Sequence, residues 1–292
     1  KTYNLTSNPI LYKFLMFRSV IQLIRVKDWI KNIVIFFPII FSNNIFLLEN
    51  ITNVLVSFFI FSLTTSSVYI LNDILDYKDD KLHKLKRHIK PLASDSLSLN
   101  FSLILFFLFI IAITILLILF PELIYFILIY LVINVSYSFF LKRVKYLEML
   151  LISIGYLIRL FLGSHTIKVE TSFSLAISVF CLAMFVISIK RSLEVLNQET
   201  LRIKKLNYSI LILKLVSKIN GAIFILCVFI FILFSNNTLI IILPFLIFVV
   251  YEYYQVSFSK NIGEFPIDLI FNEKKILFSS LIIICVTIFI YI

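Results

Sequence analysis

The sequence predicts an all-α, polytopic membrane protein, and three observations carry that prediction. The 292 residues are 61% hydrophobic with a mean hydropathy of +1.05, well above the roughly half-apolar composition of soluble domains. The apolar residues fall into runs of about 20, the length a helix needs to cross the hydrocarbon. The charged residues, 15% of the chain, cluster between those runs.

About nine spans are expected, at 20–42, 51–71, 98–119, 122–141, 147–167, 171–189, 217–234, 238–258 and 275–292. The first is interrupted near its start by Arg25, Lys27 and Lys31. Trp29, the single tryptophan, reads as an interfacial anchor. Turns on one side are short: Ser42-Asn43-Asn44, Phe120-Pro121-Glu122, 167–171 and Ser235-Asn236-Asn237. Short turns make successive helices antiparallel neighbours. The loops on the other side, 72–97, 142–146, 190–216 and 259–274, are longer and polar, and the whole chain 1–292 reads as one transmembrane domain.

Lysine and arginine divide unequally between the two sides. Six lie in the N-terminal region through Lys31, six in 72–97, three in 142–146, seven in 190–218 and three in 259–275, out of 27. Only Lys168 falls on the opposite side, and Arg159 lies within a span. The positive-inside rule expects a multi-pass protein of the cell (inner) membrane, with a cytoplasmic N-terminus and an external C-terminus. This asymmetry accounts for most of the net charge of +11, so no nucleic-acid partner is expected. Residues 1–31 are too polar for a cleavable signal peptide. Cys181, Cys227 and Cys285 lie in apolar runs without metal-ligand spacing and read as small core hydrophobes.

The first constellation with chemical content is Asn72-Asp73-Ile74-Leu75-Asp76-Tyr77-Lys78-Asp79-Asp80-Lys81-Leu82-His83. Asp73, Asp76 and Asp80 are spaced so that a helical extension of the second span stacks all three carboxylates on one face. Stacked anions repel, and a hard divalent cation such as Mg2+ resolves the repulsion while keeping positions for phosphate oxygens. Lys84, Lys86, Arg87, His88 and Lys90 follow, where such phosphates would project. A charged loop that only marks the cytoplasmic side is the plainer reading.

A second constellation runs from Tyr137, Lys142 and Lys145 to Glu148 and Arg159. Glu148 and Arg159 are three helical turns apart and share a face with Gly155 and Gly163, so close helix approach is expected there. An arginine deep in a span costs about 2.5–3.5 kcal/mol on insertion scales, so Arg159 is expected to face a polar cavity or to serve a structural hydrogen bond. At the end of the sixth span, Lys190-Arg191-Ser192-Leu193-Glu194 places Lys190 and Glu194 one turn apart. No serine or cysteine nucleophile paired with histidine, no zinc spacing and no phosphate-binding glycine loop is present in the sequence.

Together these residues resemble the UbiA-type polyprenyltransferase superfamily, and within it the decaprenyl-phosphate phosphoribosyltransferases. The pattern Arg-x-x-x-Trp-x-Lys-Asn appears as Arg25, Trp29, Lys31 and Asn32, and the metal pattern as Asn72, Asp73, Asp76, Asp80 and His83. Lys86-Arg87, Lys90-Pro91-Leu92-Ala93-Ser94, Tyr137-Ser138, Leu141-Lys142, Glu148, Gly155, Arg159 and Gly163 continue it, followed by Lys190-Arg191 with Glu194 and by Gly263-Glu264 with Pro266 and Asp268. The chain departs from the pattern by one inserted residue near Ile89, by Lys90 for arginine, Lys84 for proline, Asp95 for glycine and Glu148 for aspartate.

The resemblance implies a UbiA-like helical bundle that transfers 5-phosphoribose from phosphoribosyl pyrophosphate to a decaprenyl-type polyprenyl phosphate, with Mg2+ as cofactor, for cell-envelope glycan precursors. It implies metal contacts from Asn72, Asp73, Asp76 and Asp80, and catalytic roles for those aspartates, Glu148 and Lys190. Substrate contacts are implied for Arg25, Lys31, Asn32, His83, Lys86, Arg87, Lys90, Tyr137, Lys142, Arg159, Arg191 and Glu194. A homo-oligomer stays open. Two alternatives remain: prenyl transfer from a prenyl diphosphate to an aromatic acceptor in a quinone or heme pathway, and a membrane transporter, which would show broken helices near the midplane.

Overall fold

The computed structural model describes residues 9–42, 47–82, 86–139, 141, 144–197, 207–262 and 266–291. The described residues form helices α1 (Pro9–Ile24), α2 (Phe37–Phe41), α3 (Leu48–Leu75), α4 (Tyr77–Leu82), α5 (Lys86–Ile89), α6 (Leu99–Leu119) and α7 (Ile124–Phe139). They continue with α8 (Leu147–Thr166), α9 (Phe173–Leu196), α10 (Ile210–Ser235), α11 (Leu243–Ser259), α12 (Pro266–Asn272) and α13 (Lys274–Tyr291). Among the described residues, eight helices are long and apolar enough to cross a membrane, and they fall on the last eight of the nine expected spans. This is a multi-pass membrane protein.

The first expected span is not a single α-helix. Helix α1 ends at Ile24, and Arg25 takes the left-handed conformation with φ 56°, which L-residues with long side chains rarely adopt. A 3-10 helix (Val26–Phe36) follows, and α2 begins with a proline in its first turn. Pro38 offers no backbone N–H and crowds the carbonyl four residues back, so an α-helix cannot run straight through this stretch. The indole N–H of Trp29 donates to Ser66 Oγ of α3 at 2.9 Å and its ring meets Phe59 edge-on. Trp29, expected as an interfacial anchor, thus also packs the 3-10 segment against α3.

Local chemistry sets the helix ends. Ser98, Ser172 and Ser209 cap α6, α9 and α10 by accepting from backbone N–H groups three residues on, which satisfies donors that the first turn leaves unpaired. Of the cysteines, Cys181 and Cys227 are buried as expected, whereas Cys285 is exposed on α13.

The chain packs as two compact units. The first comprises residues 1–33 and 55–138. Its core joins Leu23 of α1, Ile70 of α3, and Leu92 and Leu97 of the turn before α6. Phe61 of α3 stacks on Tyr130 of α7 at 4.6 Å between ring centroids. This core seats the turn at 90–97 against the end of α3, where the aspartates lie.

The second unit comprises residues 34–54 and 139–292. Phe185, Ile189 and Leu193 of α9 pack with Tyr253 of α11, Leu269 of α12 and Ile276 of α13. Met149 of α8, Ala183 and Ile187 of α9 and Leu213 of α10 form a neighbouring cluster. Gly163 of α8 lies so close to the 3-10 segment that a Cβ there would stand 2.1 Å from the carbonyl oxygen of Ile35. The close approach expected for the glycine face of α8 is met at this position.

Candidate active site

Two groups of charged side chains lie on the segments singled out in the sequence, one in each unit. In the first, the helical path runs from α3 through a turn at Asp76 into α4. The N–H of Asp76 donates to the Asn72 carbonyl and that of Asp80 to the Asp76 carbonyl, each at 2.9 Å. Asp73 and Asp80 are therefore two turns apart on one face, and each is only 3% exposed. Asp76 sits half-buried on the turn, and the Asn72 side-chain oxygen accepts from the Ser138 hydroxyl of α7.

Two cations meet the buried carboxylates. The Arg25 guanidinium is 2.8 Å from Asp73 Oδ1 and lies 4.5 Å from the centroid of the Tyr69 ring. The Lys90 ammonium bridges the pair, 2.8 Å from Asp73 Oδ1 and 2.5 Å from Asp80 Oδ2. Lys90 is held by its neighbours. Gln22 Nε2 donates to the Ile89 carbonyl at 2.6 Å, and Pro91 disfavours helical backbone at the residue before it. Leu92 then anchors the turn in the core. Desolvated carboxylates require such partners.

Of the three carboxylates expected to hold a divalent ion, Asp73 and Asp80 are brought together across Lys90, and Asp76 lies on the turn between them. Among the described residues no three His, Cys, Asp or Glu side chains cluster to hold a metal. A pair suits Mg2+, which takes one or two carboxylates and completes its octahedron with waters and phosphate oxygens.

On the segments that flank Lys90, an open depression of about 410 Å3 is lined by Lys81, Arg87, His88, Ala93, Ser94 and Asp95. Lys81 Nζ lies 2.7 Å from Asp95 Oδ1, and this hydrogen bond holds the Lys81 ammonium above the ordinary lysine range, with Tyr77 adding to it. Arg87 Nε donates to His88 Nε2 at 2.9 Å. Asp95 has φ 58°, so its backbone takes the left-handed turn that glycine adopts without cost, and short polar side chains tolerate it better than most.

In the second unit, Glu148 lies in the first turn of α8 and is 2% exposed. Arg191, near the end of α9, donates through one terminal nitrogen to Glu148 and through the other to Glu194. Lys190 stands 3.9 Å from Glu194. Arg159 is 5% exposed; its guanidinium donates to the Gly155 carbonyl of its own helix at 2.7 Å and lies 5.3 Å from the centroid of the Tyr156 ring. Lys145 Nζ reaches the Asn207 carbonyl at 2.5 Å.

Residues 36–264 match the sequence profile of the UbiA prenyltransferase family. The chain belongs to this family. The decaprenyl-phosphate phosphoribosyltransferase of two Mycobacterium tuberculosis strains is 27% identical over 187 residues, and the match covers 60% of this chain and 60% of the relative's length. An uncharacterised protein of Sinorhizobium fredii is 28% identical over 48% of this chain and 27% of its own. Among solved structures, a UbiA homologue from Archaeoglobus fulgidus, bound to DMAPP and Mg2+, superposes with a TM-score of 0.67 at 16% identity, covering 92% of this chain and 98% of the other. A digeranylgeranylglyceryl phosphate synthase superposes with a TM-score of 0.58 at 18% identity, covering 94% and 97%. These two superpositions establish the UbiA-like fold.

Within this UbiA-family chain the expected site residues separate into several classes. Asp73, Asp80, Arg25 and Lys90 are brought together, and so are Glu148, Arg191, Glu194 and, more distantly, Lys190. Asn32, expected among substrate contacts, is fully buried and its amide donates to Ser62 and Thr65 of α3; it holds the 3-10 segment in place. Lys31 pairs with Asp28 at 2.5 Å, and Tyr137 is half-buried on α7. The Lys190–Glu194 ion pair expected from their one-turn spacing is present at 3.9 Å, and Arg191 also contacts Glu194 directly. His83, Lys142, Gly263 and Glu264, and the side chain of Lys86, lie outside the described residues. Sequence reasoning missed Lys81, Ser94 and Asp95 as lining residues; the glycine-to-aspartate departure at 95 was the available signal.

Proposed function

We propose that this chain transfers a 5-phosphoribosyl group from phosphoribosyl pyrophosphate to a polyprenyl phosphate at the cytoplasmic face of the cell membrane. The observation that carries the reading is the meeting of two cations on one buried carboxylate pair. Such a group has charge to turn toward an arriving anion without leaving its own acids unpaired. The name shared by the Mycobacterium tuberculosis relatives supports a phosphoribosyl donor.

Asp73 and Asp80, with Asp76 on the turn between them, would hold Mg2+, which neutralises a diphosphate as negative charge develops on it. Arg87 and Lys90 would hold donor phosphates. A lipid phosphate oxygen would form the bond to the ribose C1 while the bond from C1 to pyrophosphate breaks, and the leaving group departs with the electron pair. The attacking oxygen is already anionic, so no general base is needed. Within the second unit, Arg191, oriented by Glu148 and Glu194, and Lys190 offer a separate group of cations for an anionic substrate. A cytoplasmic N-terminus and an external C-terminus belong to the same reading.

The family description names a prenyltransferase, which favours a second reading in which a prenyl group passes from a prenyl diphosphate to an aromatic acceptor. Both donors end in a diphosphate, so the acid pair serves either. Membranes containing the protein, incubated with labelled phosphoribosyl pyrophosphate and polyprenyl phosphates, are expected to carry label into the lipid extract. Turnover of prenyl diphosphates with an aromatic acid, and none of phosphoribosyl pyrophosphate at millimolar concentration, overturns the proposal.

A further inference from the structure

An ammonium already stands at the point toward which the two buried carboxylates converge. Lys90 Nζ lies within 2.8 Å of an oxygen from each. A divalent ion held by both carboxylates would compete with that ammonium for the same oxygens, and the two cations would repel strongly in so dry a setting. The acid pair therefore accepts a divalent ion only as Lys90 leaves.

Lys90 is built to leave and Arg25 is built to stay. The Lys90 side chain is 20% exposed on a flexible four-carbon stem, while the backbone on either side is fixed by the Gln22–Ile89 hydrogen bond and by Leu92 in the core. Arg25 is pinned by its own backbone turn, its Asp73 contact and the Tyr69 ring. What draws an ammonium off two carboxylates is a stronger anion, and a diphosphate arriving with the metal supplies one.

From this geometry we infer that Lys90 is a positioning residue that couples divalent-ion loading to the diphosphate: it keeps the Asp73–Asp80 pair closed to bare metal ions and turns to the diphosphate when metal and diphosphate enter together. This inference rests on reading the acid pair as the metal–diphosphate site, but not on which group the donor transfers. It goes beyond that reading because Lys90 opposes one ligand and assists the other.

The test uses the full chain in detergent. Free Mn2+ is measured by electron paramagnetic resonance as bare ion is titrated in, and the Mn2+–pyrophosphate complex is measured by equilibrium dialysis with labelled pyrophosphate. Lys90→Gln is expected to bind bare Mn2+ about tenfold tighter than the unaltered chain, while binding the complex more weakly. The opposite signs distinguish coupling from general damage to the site. Lys90→Arg, which keeps a cation between the acids, is expected to bind bare Mn2+ no tighter than the unaltered chain. This second variant carries the test if Lys90→Gln does not fold.

Bare Mn2+ bound equally or more weakly by Lys90→Gln, or more tightly by Lys90→Arg, overturns the inference. The gain should vanish in Asp73→Asn/Lys90→Gln, and a gain that persists there also overturns it. Asp73→Asn alone tests the underlying reading: unchanged binding of both bare ion and complex places the metal elsewhere, whatever Lys90 does.

Discussion

At the scale of single residues, the two groups differ in what their charges ask of the fold. Asp73 pairs with an arginine held in left-handed backbone and shares a lysine with Asp80, so it balances two cations. Asp73→Asn is expected to reduce transfer about ten- to hundredfold, the cost of losing charge-assisted contacts worth roughly 1.5–3 kcal/mol, and to weaken divalent-cation dependence. Full activity of both Asp73→Asn and Asp80→Asn with chelator present would remove the metal assignment. Glu148 serves an arginine instead. Glu148→Gln takes one charged partner from Arg191 and leaves Glu194, so a loss of about 2 kcal/mol in thermal or denaturant stability is expected. Glu148→Asp keeps the charge but shortens its reach, and recovery of activity only in membranes saturated with substrate would mark a positioning role. The aspartate spacing was legible in the sequence because i, i+3 and i+4 relations are local. The Arg191–Glu148 contact was not, since 43 residues separate the partners and only the packing of α8 on α9 joins them.

At the scale of elements, hydropathy located eight helices because burial in lipid and burial in protein both demand apolar side chains. It could not find the break in the first segment, which depends on backbone geometry at Arg25 and Pro38 rather than on polarity. Nor could it place Lys90, whose position follows from the turn at 90–97 seating Leu92 and Leu97 against α1 and α3. Glycine was more informative. The approach of α8 to the 3-10 segment leaves no room for a methyl group at Gly163, where the obstructing atom is a backbone carbonyl oxygen. At Gly221 of α10 the nearest obstacle to a Cβ is the side chain of Phe185, which would lie 3.1 Å away. A ring can turn by a few tenths of an ångström and a backbone carbonyl cannot. Gly163→Ala is therefore expected to cost about 3 kcal/mol or more, at the upper end of overpacking penalties, and Gly221→Ala about 1 kcal/mol. Thermal unfolding in detergent measures both, and equal losses would refute the assigned close approach.

At the scale of the whole molecule, the distribution of charge along the sequence carries a prediction that no single contact carries. The lysines and arginines concentrate in the N-terminal region and in the loops after every second span, whereas the turns between the remaining spans hold only Lys168 among them. Moving such loops across a bilayer against the membrane potential is costly, so the basic side is expected to stay in the cytoplasm. The eight long helices alone alternate the basic loops from 72–97 onward, and a cytoplasmic N-terminal region requires the broken first segment to cross as well. The donor chemistry proposed for Asp73, Asp80, Arg87 and Lys90 calls for the same side, since a phosphorylated sugar donor is water-soluble and made in the cytoplasm. Lys84→Cys, in a chain lacking Cys181, Cys227 and Cys285, is expected to resist an impermeant thiol reagent added to intact cells and to react once the membrane is opened. Lys168→Cys in the same background, in the exposed turn between α8 and α9, is expected to react in intact cells. The reverse pattern would invert the orientation and, with it, the compartment from which the diphosphate donor is drawn.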